Sequence, residues 1–147
     1  MSEITQTYKV VFTKDEDSIR ISDLQGFLHY FNMYYLKLND TILKEYKTVE
    51  KLISNQNEFK KNFKFTQNDY IKYNDMLHSS NSDLLIYELD KHSPLKIILG
   101  GSAIALIGTI MLSGGEININ PPKGIFKIKV NQSIGVTLKE LRDFHSK

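Results

Sequence analysis

No cysteine occurs among the 147 residues, which removes disulfide frameworks, thiolate metal sites, iron–sulfur clusters and cysteine nucleophiles together. Arginine is almost as scarce, present only as Arg20 and Arg142, so bidentate recognition of phosphates or bases has few groups to work with. A net charge of +2 is too small to imply binding to a phosphate backbone without a localised patch. The opening Met-Ser-Glu-Ile-Thr-Gln lacks the basic-then-apolar pattern of an export signal. The expected location is therefore cytoplasmic, with inner-membrane association as the alternative should a late apolar segment insert. What is present is ordinary for a folded protein: 41% hydrophobic and 24% charged residues, in a length that suits one domain over 1–147.

The chain opens on a β-branched and aromatic stretch with two-residue alternation, Tyr8, Val10 and Phe12 against Lys9, Val11 and Thr13, which predicts a strand. Ser22-Asp23-Leu24-Gln25 has the form of a capping box. Beyond it, apolar residues recur in steps of three and four from Leu24 through Leu28, Phe31, Tyr35, Leu38, Ile42, Tyr46 and Val49 to Ile53, predicting one long amphipathic helix with a possible kink at Asn39-Asp40. Strand alternation appears at 63–66 and 70–73, and the apolar run at 84–89 reads as a covered strand. Near the C-terminus, 116–120 and 125–130 alternate around Pro121-Pro122-Lys123-Gly124 as a hairpin, and Thr137-Leu138-Lys139-Glu140 opens a last short helix.

The most apolar segment carries the strongest expectation. Ser93-Pro94 has the form of a helix start and Ser113-Gly114-Gly115 of a helix stop, so 94–113 is expected to be one helix about 30 Å long. Gly100, Gly101 and Gly108 would together cost such a helix about 3 kcal/mol relative to alanine, so close backbone approach should compensate. Gly101, Ala105 and Thr109, with Gly100, Ile104 and Gly108, then form a small-residue face for another helix. That helix could be the N-terminal one or a second copy of the chain. Insertion in a membrane is the competing reading, although the uncharged stretch at 97–112 falls short of the roughly twenty residues a span requires.

Chemistry-bearing motifs are sparse. His29, His78, His92 and His145 have no metal-ligand spacing, and no cofactor or metal is expected. Glu58-Phe59-Lys60 matches half of a nuclease pattern without the aspartate to complete it. Lys60, Lys61 and Lys64 interleave with Phe59, Phe63 and Phe65 as in single-strand nucleic-acid readers, but the lack of arginine argues against that partner. Gly100-Gly101-Ser102 lacks the strand-to-helix context of a phosphate loop. A small-molecule or protein ligand would meet Tyr70, Tyr73 and Tyr87, with Glu88, Asp90 and His92 as the polar cluster that an enzyme would use.

The segment 84–101, Leu-Leu-Ile-Tyr-Glu-Leu-Asp-Lys-His-Ser-Pro-Leu-Lys-Ile-Ile-Leu-Gly-Gly, resembles small uncharacterised bacterial proteins with a strand, a Ser-Pro-Leu helix start and an apolar helix. The resemblance implies an accessory part of a mobile or phage-conflict locus. The sequence thus predicts an α+β domain with a long amphipathic N-terminal helix, a buried apolar helix and a C-terminal β-hairpin plus short helix. Its expected role is that of a non-catalytic, homo-oligomeric binding or assembly module, with a membrane-associated effector or sensor subunit as the alternative.

Overall fold

In the computed structural model, residues 5–12, 20–78, 84–90, 95–113, 115–116, 126–130 and 134–145 are described. Helices and a sheet share them, a small mixed domain as the sequence implies. In chain order they form β1 (Thr5–Phe12), α1 (Ile21–Glu45), α2 (Val49–Ser54), α3 (Gln56–Asn62), α4 (Gln67–His78), β2 (Leu85–Asp90), β3 (Leu95–Ser102), α5 (Ala103–Leu112), β4 (Gly115–Glu116), β5 (Phe126–Val130) and α6 (Ile134–His145).

The five strands lie in the order β2-β3-β1-β5-β4. β1 is central. It runs antiparallel to β3, with Val10 opposite Ile97, and parallel to β5, with Val10 opposite Ile128. The short β4 pairs antiparallel with β5, Glu116 opposite Lys129, so the expected C-terminal pairing is present at its base; 117–125, where the rest of the hairpin was expected, lies outside the described residues.

The expected helix over 94–113 is not one helix. Its first half is strand β3, which is hydrogen-bonded on both edges to β1 and β2, and only Ala103–Leu112 is helical. Ile97 and Ile98 are β-branched, and Gly100 and Gly101 each weaken a helix by about 1 kcal/mol. Pairing along both edges of β3 therefore removes a penalty that a continuous helix would have had to recover elsewhere. The Ser93-Pro94 start lies outside the described residues, whereas the stop holds: α5 ends at Leu112, and the Ser113 N–H donates to the carbonyls of Thr109 and Ile110 at 3.1 Å each. At ten residues α5 is about 15 Å long. No described helix is long and apolar enough to cross a membrane, which withdraws the membrane segment expected at 94–113.

α5 is buried on every side, Ala105, Leu106 and Ile110 completely. It packs on β3 and β4 and is wrapped by α1, α2 and α3. A helix with no polar stripe needs an interior of this kind. Of the two partners expected for its small residues, α1 of the same chain is in place.

α1 is itself buried over most of its middle, Phe27, Phe31, Met33, Tyr34, Tyr35, Leu36 and Leu38 all lying in the core, because α4 and α6 pack on it in addition to α5. It begins at Ile21, where the Arg20 carbonyl accepts from the N–H groups of Asp23 and Leu24, so Ser22 sits inside the first turn instead of capping it. It ends at Glu45 instead of running on to Ile53. The break falls before Thr48, whose hydroxyl accepts from the Lys51 N–H at 3.1 Å and caps α2. No kink is needed at Asp40, whose carboxylate is engaged by Tyr73 and Lys72 and so does not compete for the helical backbone.

The expected strand at 70–73 is instead the middle of α4, and 63–66 forms neither helix nor strand. Thr66 and Asp69 explain the difference. The Thr66 N–H donates to the Asp69 carboxylate at 2.9 Å and the Asp69 N–H to the Thr66 hydroxyl at 3.1 Å, a reciprocal cap that nucleates α4. α6 likewise starts at Ile134, three residues before the expected cap, and Thr137 is fully buried.

Candidate functional site

Three places on the fold bear on function. The first is the junction of β3 with α5. Gly100 and Gly101 lie in the strand and Ser102 is the N-cap residue of the helix, so Gly100-Gly101-Ser102 does occupy a strand-to-helix turn, contrary to expectation. The turn is nonetheless closed by Tyr35 of α1. Its hydroxyl accepts from the buried Ser102 N–H at 2.8 Å, and a Cβ at Gly101 would stand 2.6 Å from that oxygen. The close approach that glycine was expected to permit is real, but the group that enters is a tyrosine ring, not a second backbone. Ile104, Ala105, Gly108 and Thr109 continue this region along α5, all buried, with the Thr109 hydroxyl donating to the Ala105 carbonyl at 2.7 Å.

The second place is the seam between α1 and α4, where two of the expected ligand-site tyrosines lie. Tyr70 approaches His29, hydroxyl to Nε2 3.3 Å, while the Tyr73 hydroxyl donates to the Asp40 carboxylate at 3.2 Å. Burial holds the His29 imidazole below its ordinary pKa, and the neighbouring His78 pushes in the same direction. Burial, reinforced by Asp40, raises the Tyr73 phenol. Lys37 reaches Asp69 at 2.6 Å, donates to the Lys64 carbonyl, and sits over the Phe63 and Phe65 rings. For the Asp69 carboxyl, burial pushes upward, but Lys37 and Thr66 together outweigh it and hold the group below its ordinary value. These polar groups satisfy one another, which is how a structural seam behaves.

The other members of the expected cluster are carried elsewhere. Tyr87, Glu88 and Asp90 are on β2, with Glu88 opposite Ile98, Asp90 opposite Lys96, and a register shift between Ile86 and Glu88; His92 lies outside the described residues. α4 packs on α1 whereas β2 pairs with β3, so Tyr70 and Tyr73 share neither an element nor a strand pairing with Tyr87, Glu88 and Asp90. The interleaved lysines and phenylalanines also separate. Phe59 and Phe65 are core residues, unavailable for stacking on a base.

The third place was not anticipated. A groove of about 650 Å³ runs beside the C-terminal half of α1, walled by Lys37, Leu38, Thr41, Glu45 and Tyr46, by Lys51 and Asn55 of the α2 segment, and by Glu58, Phe59, Asn62, Phe63 and Lys64 of the α3 segment. Its floor is aromatic, with the Tyr46 and Phe59 rings edge to face at 6.0 Å between centroids. Burial raises the Tyr46 phenol pKa, followed by the negative charges of Glu58 and Glu45. Apart from Lys37, the charged residues of its wall take part in neither of the two ion pairs among the described residues. No signal in the sequence separates these residues from a solvated helix face, because the groove exists only once α1 breaks at 46–48 and α2 and α3 fold back beside it. Among the described residues no three of histidine, aspartate and glutamate converge as metal ligands would. No protein-family model, curated protein or solved structure matches the chain.

Proposed function

We propose that the protein is a non-catalytic binding module whose binding surface is the groove along α1. One observation carries this reading: Glu45, Lys51, Glu58 and Lys64 surround an aromatic floor without an ion-pair partner among the described residues, whereas the charged side chains Lys37, Asp40, Asp69 and Lys72 at the α1–α4 seam are paired within the chain. Ligand sites combine an apolar base with a few polar groups left free to make outside contacts. A binding role is favoured because the groove wall holds no activated hydroxyl nucleophile: its one hydroxyl-bearing aliphatic residue, Thr41, donates to the Lys37 carbonyl at 2.9 Å, with neither histidine nor serine beside it in the wall.

Self-assembly loses its original support, since the small residues of α5 are used inside a single chain. An accessory role in a mobile or phage-conflict locus rests on the resemblance of 84–101, of which the apolar-helix part is strand β3 up to Gly101. The test is a fragment screen by NMR with binding sites mapped on the labelled protein. Fragments should perturb Leu38, Thr41 and Tyr46, and Tyr46→Ala should abolish those shifts. Hits confined to other surfaces would overturn the reading.

A further inference from the structure

The groove has two chemically different ends. At one, Lys37, Phe63 and Lys64 come together: the Lys37 ammonium lies 5.4 Å from the Phe63 ring centre and donates to the Lys64 carbonyl. At the other, Glu45 precedes Tyr46, and Glu58 is close enough to act on the Tyr46 phenol. Lys37 and Glu45 are eight residues apart on α1, a rise of about 12 Å. Lys37 is already matched by Asp69, which leaves Lys64 and Lys51 as the cations and Glu45 and Glu58 as the anions of the wall that form no ion pair among the described residues. These charges balance, and the wall they share includes the Tyr46 ring, with the nearly buried Phe59 ring edge to face against it.

Resting on the groove being the binding surface, we infer that its occupant is a short extended peptide segment of a partner protein carrying an acidic and a basic side chain on either side of an apolar one. An extended chain advances about 3.3 Å per residue, so the two charges should stand about four residues apart, the acid toward the end held by Lys37 and Lys64 and the base toward Glu45 and Glu58. The apolar residue in the middle covers the floor. A nucleic-acid strand fits poorly, because Glu45 and Glu58 in the wall would repel its phosphates. A wholly cationic or wholly anionic ligand likewise meets like charge at one end.

The test pans a displayed random peptide library on the wild-type protein and measures the selected peptides by fluorescence anisotropy. Selected sequences should share the acid–apolar–base order. Exchanging the acid and the base within a selected peptide should weaken binding to the wild type by about tenfold, and the variant E45K/E58K/K51E/K64E should prefer the exchanged peptide. All four positions are exposed, so the variant should keep the wild-type urea midpoint; the exchanged peptide tests the inference on the unaltered protein in any case. Selected peptides without charge order, indifference to the exchange, or preferential binding of a labelled oligothymidylate or of a second copy of the chain would overturn it. Fragments that map to the groove while peptides show no charge order would leave the binding surface standing and remove only the peptide; an empty fragment map would remove both.

Discussion

Placing a methyl group at Gly101 tests the packing that joins the sheet to the helices. The added Cβ in Gly101→Ala would lie 2.6 Å from the Tyr35 hydroxyl oxygen, 3.1 Å from Cζ and 3.3 Å from Cε1. The terminal oxygen of an exposed tyrosine could swing aside, but Tyr35 is fully buried and its hydroxyl is the acceptor for the Ser102 N–H. Overpacking of this kind costs about 1–3 kcal/mol. Drawing the hydroxyl away leaves a buried N–H without a partner, a further loss of about 1–3 kcal/mol. Alanine in a strand returns about 0.5–1 kcal/mol through the unfolded chain. The net expectation is a destabilisation of about 2–4 kcal/mol, read as a lowered urea midpoint at unchanged slope. Tyr35→Phe alone should cost about 1–3 kcal/mol by orphaning the same N–H. The double variant should cost clearly less than the sum, because the single alanine already gives up that hydrogen bond and the phenylalanine relieves the closest contact. A Gly101→Ala protein within about 0.5 kcal/mol of the wild type, or strictly additive variants, would refute the close approach as described.

Gly26→Ala supplies the contrast: its Cβ would meet the Leu138 Cδ2 at 2.9 Å, the far end of a flexible side chain, while helix propensity gains about 1 kcal/mol, so a calorimetric melt should show a change within about 1 kcal/mol of zero. Lys37→Met removes the partner of Asp69 at a site about one-fifth exposed and should cost about 1–2 kcal/mol near neutral pH by urea melting. Since the folded Asp69 carboxyl is held low, the stability it contributes is present above about pH 4 and lost below, so the difference from wild type should shrink in acid. His29 runs the other way in its chemistry but not in its sign: the unfolded chain takes a proton near pH 6.5 while the folded imidazole resists it, so stability is whole above that pH and falls as the pH drops toward the lowered folded value. His29→Gln should flatten the change in urea midpoint between about pH 7.5 and about pH 5.

Local signals read correctly wherever one interaction within a few residues decides the outcome. The strand at 5–12 follows from alternation, the halt falls at Ser113 as expected, and the short apolar run does give a strand at 85–90, although that strand is not covered as expected, since it lies at the sheet edge with Ile86 exposed. Tyr70-Ile71-Lys72-Tyr73 was ambiguous because Tyr70, Tyr73 and Leu77 also satisfy helical spacing, and the deciding signal was the Thr66–Asp69 cap just upstream. Residues 95–102 were misread for a different reason. A short apolar stretch looks the same as a buried strand and as a buried helix, and only the neighbours on its two edges, β1 from the far N-terminus and β2, choose between them. The groove was illegible on the same ground: its walls are ordinary charged helix faces until the break at 46–48 turns them toward one another.

The pairing of β1 with β5 reaches across more than a hundred residues, and the helix with no polar side becomes sheltered only after α1, made much earlier, closes over it. During synthesis β1 leaves the ribosome long before its parallel neighbour exists. The order of translation therefore forces the first strand to wait, and long-range closure of this kind is slow compared with local helix formation. Folding of this chain should be limited by the arrival of its last strand, with α1, α2, α3 and α4 able to form while Thr5–Phe12 still lacks half of its hydrogen-bonding partners.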